Sequence, residues 1–143
     1  MIKKREEDDQ NHSKTIENHH KSADLKNSNS LYNLGHSYEK GIGVEQDYTK
    51  AIEFYQKSAD LGNSNALFNL GHLYEKGQGV EQDYTKAIEF YQKSADLRNS
   101  SALNNLGYLY EKGIGVEQNY SKAIEYYQNS SDLGDSNGSY ILG

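Results

Sequence analysis

Apolar residues recur along this chain in two kinds of stretch, each with the spacing of an amphipathic helix. In the first kind, positions i, i+3, i+4 and i+7 hold Leu67, Leu70, Gly71 and Tyr74. In the second kind, one helical face carries Tyr84, Ala87, Ile88, Tyr91 and Ala95. Because a period near 3.6 places such residues on one side of a helix, the pattern predicts pairs of short helices.

Polar residues and glycines mark where these helices begin and end. Asn63 and Asp83 precede the two patterns and are good N-cap residues, because their side chains accept a hydrogen bond from the first helical turn. Gly77 and Gly79 follow the first pattern, and Gly62 follows the preceding second helix, at places where glycine adopts a positive φ at little cost. The first N-cap position recurs as Asn27, Asn99 and Asp135.

The pattern repeats every 36 residues. The four-residue string at 22–25 recurs at 58–61 and 94–97, and it recurs with one change at 130–133. Residues 22–57 differ from 58–93 at five positions, and 58–93 differ from 94–129 at nine. This indicates tandem duplication. The predicted segments are a charged N-terminal tail (1–10), a degenerate half repeat with a second helix only (11–26), three repeats (27–62, 63–98 and 99–134) and a truncated half repeat (135–143).

These repeats predict an all-α solenoid in place of a single globular core. Helices this short are marginal alone, so each hairpin must bury its apolar stripe on its neighbours. Gly35, Gly71 and Gly107 fall inside the first helices, where each costs about 0.5–1 kcal/mol relative to alanine. We expect a close approach between the backbones of the paired helices to compensate. Lys26 and Arg98 replace the glycine of Gly62 and are expected to be local misfits.

Composition narrows the class of protein. The chain has 15 Lys and Arg against 21 Asp and Glu, a net charge of -6, which argues against nucleic acid as the main partner. An alternative interpretation is that the negative net charge only keeps the protein soluble. Cysteine is absent, which excludes disulfides and zinc–thiolate sites. No apolar run reaches a membrane span, and the charged N-terminus is unlike a signal peptide, so a soluble, intracellular protein is expected.

Candidate catalytic and metal-binding patterns are weak. His36 and His72 lie one repeat apart, too far to share a metal, and a weak site at His12, His19 and His20 competes with a plain solvated helix. Every Ser and Asp is interpreted as a turn or cap residue, which leaves no nucleophile constellation. The pair Gly77-x-Gly79 lacks the strand and the lysine of a phosphate loop. We therefore expect no enzyme activity, no cofactor and no metal.

The string Leu70-Gly71-x-x-Tyr74-x-x-Gly77-x-Gly79-Val80, followed by Asp83-x-x-Lys86-Ala87-x-x-Phe90-Tyr91-x-x-Ser94-Ala95, closely resembles the Sel-1-like repeat, a relative of the tetratricopeptide repeat. Departures include Asn119 in place of Asp83 and Arg98 in place of a glycine. The resemblance implies a right-handed α-α superhelical solenoid and assigns the structural positions of the repeats. In this chain they are Leu34, Gly35, Tyr38, Gly41, Gly43, Ala51, Leu70, Gly71, Tyr74, Gly77, Gly79, Ala87, Leu106, Gly107, Tyr110, Gly113, Gly115 and Ala123.

The resemblance also implies that the first helices line a concave surface, where relatives bind proteins. Carried over from the tetratricopeptide pattern, the candidate partner-binding residues are Asn29, Tyr32, His36, Asn65, Phe68, His72, Asn104 and Tyr108. Further positions of this surface hold Glu39, Lys40, Glu75, Lys76, Ser101, Glu111 and Lys112. Of the nine differences between the last two units, three fall here, at Asn65/Ser101, Phe68/Asn104 and His72/Tyr108.

The sequence leaves two functions open. The leading one is a scaffold or adaptor that binds a protein or peptide, with no nucleic acid and no membrane as partner. The alternative is a structural or decaying repeat array without a dedicated partner, which the near identity of the repeats favours. Because residues 135–143 form half a unit, we also expect a frayed C-terminal end or self-association through it.

Overall fold

The computed structural model describes residues 27–134, and these form six α-helices and no strand. The helices, of 13 residues each, are α1 Ser28–Lys40, α2 Tyr48–Asp60, α3 Ser64–Lys76, α4 Tyr84–Asp96, α5 Ser100–Lys112 and α6 Tyr120–Asp132. The chain divides into two compact units, Met1–Ala66 and Leu67–Gly143. The predicted tail 1–10 and the half repeats 11–26 and 135–143 lie outside the described residues.

The predicted N-caps are confirmed. Asn27 Oδ1 accepts a hydrogen bond from the Ser30 amide at 3.0 Å, and Asp83 Oδ1 accepts one from Lys86 at 3.0 Å. The same bond, between the cap and the amide three residues on, is made by Asp47, Asn63, Asn99 and Asn119. Each bond satisfies an amide that has no partner within its helix. Asp135 lies outside the described residues.

The first helices end on a loop that satisfies their last carbonyl groups. Gly41 adopts φ 69°, and the next amide, that of Ile42, donates to Ser37 O at 2.9 Å. The Asp47 amide returns to Tyr38 O at 2.9 Å. The Gln46 side chain satisfies a third carbonyl group of α1, because its Nε2 donates to Glu39 O at 2.8 Å. Gln82 and Gln118 repeat this bond in the later loops.

In the first unit, α1 and α2 pack through a glycine and a tyrosine. Leu34, Ala51 and Tyr55 are fully buried between the two helices. A Cβ on Gly35 would lie 2.5 Å from Tyr55 Cδ1, which is closer than real contacts allow. The helices can therefore approach only because position 35 has no side chain.

The second unit has the same contact twice. A Cβ at Gly71 would lie 2.7 Å from the Tyr91 ring, and one at Gly107 would lie 2.7 Å from the Tyr127 ring. We call the three pairs the Gly–Tyr seam. The expectation that close backbones compensate for these glycines needs correction, because the main neighbour is an aromatic ring. A backbone atom, Ala87 O, comes near at Gly71, at 3.1 Å.

The core of the second unit is a cluster in which α4, α5 and α6 contribute together. Its buried members are Ala87, Ile88, Tyr91, Ala102, Leu106, Leu109, Tyr110, Ala123 and Tyr127. Phe68 and Tyr74 of α3 pack against this cluster from their partly buried positions. The predicted apolar faces of both helix types therefore meet in one core within this unit.

The serines near the ends of the second helices are core residues. Ser58 is fully buried, and its Oγ donates to Ser28 O at 2.7 Å. Ser130 is equally buried and donates to Ser100 O at 3.2 Å. The interpretation of every serine as a turn or cap residue was therefore wrong for these positions. A hydroxyl is accommodated here because a carbonyl oxygen has two lone pairs, so the oxygen of Ser28 or Ser100 can accept the hydroxyl hydrogen in addition to a bond within its own helix.

Arg98 has the backbone conformation that its position predicts. It adopts φ 64°, whereas the glycines at the same place in other repeats, Gly62 and Gly134, adopt 86° and 87°. Arg98 is the one residue other than glycine with a positive φ in the described part of the chain. Lys26, the second expected misfit, lies outside that part.

Candidate partner-binding surface

We call the eight predicted partner-binding residues of α1, α3 and α5 the first-helix face. In the first unit, Tyr32 is partly buried, and its ring lies 5.7 Å from that of Tyr55, tilted by 38°. The His36 ring stacks on the Tyr32 ring, with 6.4 Å between the ring centroids. Asn29 is exposed and accepts a hydrogen bond from Asn63 Nδ2 at 3.3 Å. Asn65, at the start of α3, is also exposed.

In the second unit, the first-helix face consists of Phe68, His72, Asn104 and Tyr108. Phe68 rests on the Tyr91 ring at 5.7 Å, as Tyr32 rests on Tyr55. His72 and Asn104 are partly exposed, and Tyr108 is 50% exposed. The aromatic members of the face therefore have two roles, because Phe68 supports the seam while Tyr108 offers its ring to solvent.

The three acidic residues predicted for this surface face inward. Tyr55 donates its hydroxyl hydrogen to Glu39 at 2.7 Å, and Tyr91 donates to Glu75 at 3.0 Å. Tyr127 and Glu111 form the same pair at 3.4 Å. These carboxylates are therefore acceptors for the buried tyrosines, and the adjacent Lys40 and Lys76 pair with them at 3.4 and 3.5 Å.

Burial changes the acidity of two seam tyrosines. Desolvation, together with the nearby Glu75 carboxylate, raises the pKa of Tyr91 far above its ordinary value. Desolvation and the Glu111 carboxylate raise the pKa of Tyr127 to about 12. Both effects favour the neutral phenol, because an anionic ring would be poorly solvated and would face a carboxylate. At neutral pH these hydroxyls are donors and not nucleophiles.

A different repeated arrangement joins the first and second helices of each hairpin. The Tyr38 ring stacks on Phe54 at 5.6 Å, with Lys50 Nζ over Tyr38 and Lys57 Nζ over Phe54. The next repeat has the same contacts, with Lys86 Nζ over Tyr74, Tyr74 stacked on Phe90, and Lys93 Nζ over Phe90. The third keeps only Lys122 over Tyr110, with Tyr126 beside it. These cation–π layers cover aromatic rings at the hairpin surface.

Sequence reasoning missed two contributors to these hairpins. Gln46 and its counterparts close the loops, and Ser58 and its counterparts join the helices. Both were missed because they are polar residues at positions where the sequence pattern predicts exposure to solvent. Their signal was present in the recurrence of the same residue type at a 36-residue interval. Among residues 27–134, no group of three or more His, Cys, Asp or Glu side chains could hold a metal, and no helix is long and apolar enough to cross a membrane.

Comparison with known families identifies the class. The Sel1 repeat pattern matches residues 28–63, 64–99 and 100–135, which together cover most of the chain, so the chain belongs to the Sel1 repeat family. The resemblance seen in the sequence and the helical-repeat fold are thereby confirmed. Sel1 repeats generally mediate protein–protein interactions, and the family is typically a non-enzymatic scaffold.

Three solved structures are similar to this chain. A Sel1 repeat protein from Oxalobacter formigenes is 34% identical with a TM-score of 0.78, over 82% of this chain and 48% of that one. The protective antigen c5321 of uropathogenic Escherichia coli strains, which has an SLR fold, is 37% identical with a TM-score of 0.85, over 92% of this chain and 28% of that one. Cysteine rich protein B of Helicobacter pylori is 25% identical with a TM-score of 0.75, over 94% and 96%.

This chain spans less than half the length of the first two structures. A search of curated proteins finds no match. The comparisons therefore establish the family and the fold, and they identify no partner for this chain.

Proposed function

We propose that this chain is a non-enzymatic adaptor that binds a protein or peptide on its first-helix face, the concave side that the resemblance to tetratricopeptide repeats implies. The observation that carries the proposal is the exposure of Tyr108. Among the large hydrophobic side chains of residues 27–134 that are exposed, Tyr108 is the one that lies in a first helix. An exposed tyrosine costs little side-chain entropy on binding and is a frequent centre of interfaces.

The chemistry of the face suits an extended peptide or a partner helix. Partly exposed rings stand beside asparagine and histidine side chains, which offer hydrogen bonds without a fixed charge. The eight residues include no lysine or arginine, so the face lacks the cations that would bind a carboxylate terminus. We infer that neutral contacts provide most of the affinity.

Binding assays against an extract of the source cells, with partners quantified by mass spectrometry, test this proposal. The variant His72→Ala/Tyr108→Ala removes exposed groups of the face, and we expect it to lose specific partners that the parent protein retains. A matched control, Glu89→Ala/Glu125→Ala, changes two exposed residues of the second helices. If the parent captures no protein above background, or if both variants behave alike, the adaptor proposal fails.

The second candidate is an array without a dedicated partner. Its supporting observation is that residues 22–57 and 58–93 differ at only five positions, so little specialisation is visible between them. The same extract experiment separates the candidates, because an array of this kind captures nothing specific. Self-association through the C-terminal half repeat stays a prediction, which the molecular mass in solution tests.

A further inference from the structure

Helix α6 exposes two apolar side chains whose counterparts in α4 are covered. Ile88 of α4 is 6% exposed, whereas Ile124, at the same position of α6, is 53% exposed. Tyr84 of α4 is partly buried, whereas its counterpart Tyr120 is 62% exposed. We call Tyr120 and Ile124 the α6 end face. Because the residues are identical in the two helices, the difference in exposure comes from what packs against each helix.

In α4, these two side chains are covered by the loop that follows α5. Gly115 in this loop has a φ of 74°, and a Cβ on it would lie 2.5 Å from Tyr84 Cβ and 3.3 Å from Ile88 Cδ1. The loop can come this close because residue 115 has no side chain, and its positive φ would strain any other residue. Ile114 and Val116, on either side, pack against the core cluster that contains Ile88.

Helix α5 adds an apolar stripe to the same junction. Ala102 and Leu109, seven residues apart on one side of the helix, are buried in the cluster together with Ile88. Another side of α5 faces α6, because Gly107 contacts the Tyr127 ring there. The structure therefore shows what covers the apolar pair of α4, namely a helix with this stripe followed by a glycine loop.

The first helix of the first repeat lacks this stripe. Ser30 and Ser37 of α1 occupy the positions at which α5 has Ala102 and Leu109, and α3 also has alanine and leucine there. A second copy of the chain would therefore offer the α6 end face a helix with two hydroxyl groups in place of apolar contacts. Terminal repeats of solenoids have such polar outer sides for solubility. This difference disfavours a second copy as the occupant.

We propose that the α6 end face binds the first helix and glycine loop of a Sel1-type repeat on another protein chain, as α5 and its loop cover α4. The partner helix carries alanine and leucine in the places of Ala102 and Leu109, and its loop carries glycine in the place of Gly115. The two proteins then form one longer array, in which the partner buries Tyr120 and Ile124. This surface is separate from the first-helix face, so the inference goes beyond the adaptor function proposed there.

A fluorescent synthetic peptide of residues 99–119, which reproduces α5 and its loop, is the probe. We expect it to bind the full chain in a fluorescence anisotropy titration, and Ile124→Lys should weaken binding at least tenfold by placing a charge in an apolar contact. Glu125→Lys is the matched control and should change binding less than twofold, because the equivalent Glu89 stays exposed beside the covered Ile88. Both variants replace exposed side chains and should melt close to the parent temperature.

Changes in the peptide test the stripe and the loop separately. Ala102→Ser/Leu109→Ser, which copies the serines of α1, should weaken binding at least tenfold. Gly115→Ala should have a similar effect, because a Cβ at this position meets the tyrosine and requires a strained φ. Tyr108→Ala is the control in the peptide, since this side chain is half exposed in α5, and it should change binding less than twofold.

Four results would overturn the inference, and none of them bears on the first-helix face. The peptide could fail to bind the parent chain, or it could bind Ile124→Lys as tightly as the parent. A parent dimer that Ile124→Lys converts to a monomer would identify a second copy as the occupant. A tenfold gain in peptide affinity on Leu142→Asp would show that residues 135–143 of the same chain cover the α6 end face.

Discussion

The Gly–Tyr seam and the first-helix face lie on the same helices, but they changed differently after duplication. The seam keeps its glycine, tyrosine and glutamate in all three repeats, whereas the face changes Tyr32 to Phe68 and then to Asn104. The physical reason is the contact distance. A side chain on a seam glycine would come within 3 Å of a ring, while Tyr108 is half surrounded by solvent. We infer that the seam specifies the packing of each hairpin, whereas the face can change its residues and so acquire specificity for a partner.

Removing an aromatic ring from each region should give the largest contrast. Tyr91 is fully buried, and Tyr91→Ala should lower the free energy of unfolding by about 3–5 kcal/mol, because it leaves a cavity in the core. Tyr108→Ala, on the face, should change it by less than about 0.5 kcal/mol. Urea unfolding followed by circular dichroism measures both. Similar losses in the two variants would contradict the assignment of Tyr108 to a binding surface.

Adding a methyl group to the seam should have the next largest effect. In Gly71→Ala the new Cβ would lie 2.7 Å from the Tyr91 ring and 3.1 Å from Ala87 O. We expect the free energy of unfolding to fall by about 1–3 kcal/mol, although alanine is the better helix former by about 1 kcal/mol. Ser101→Ala, on the exposed side of α5, is the control and should be neutral or slightly stabilising. A stabilised Gly71→Ala would show that the seam tolerates a side chain.

The seam illustrates how much of the fold the sequence could predict. Periodicity placed Leu70, Gly71 and Tyr74 on one helical face, and the N-caps were predictable because Asn and Asp satisfy free amides through local bonds. What Gly71 contacts could not be predicted, since the Tyr91 ring lies 20 residues away and its position depends on how the helices pack. Local hydrogen bonds such as the N-caps were therefore predictable. For contacts between helices, the sequence predicted which helical face is buried but not which residue each side chain contacts.

The candidate surface was predictable to a smaller extent. Its positions came from the resemblance to a family, and the structure assigns three of the associated residues, Glu39, Glu75 and Glu111, to internal hydrogen bonds with the seam tyrosines. A glutamate near a helix end looks the same in sequence whether it faces solvent or a phenol. Asn104 Oδ1 is buried without a hydrogen-bond partner among residues 27–134, and the sequence could not predict this, because it depends on which donors surround the side chain.

Alkaline pH should weaken the seam through its phenols. The pKa of Tyr127 rises from an ordinary value of 10.0 to about 12 in the folded chain, so its stabilising contribution is complete below pH 10 and is lost as the pH approaches 12. The unfolded chain ionises first and is thereby favoured. Tyr127→Phe should cost about 1 kcal/mol at neutral pH by removing the bond to Glu111. It should also reduce the loss of stability between pH 10 and 12, and an unchanged slope would contradict the assignment.

The smallest expected effect concerns a residue outside both regions. Arg98→Gly should raise the free energy of unfolding by about 0.5–1 kcal/mol, because glycine adopts the positive φ of 64° without the steric cost that a Cβ brings. Arg98→Ala keeps the Cβ and should give no such gain, so the pair separates backbone strain from the loss of charge. Thermal melts of both variants measure the difference. Because the site belongs to neither the seam nor the face, partner binding should stay unchanged while stability rises, and a coupled change in binding would show that the two regions are not independent.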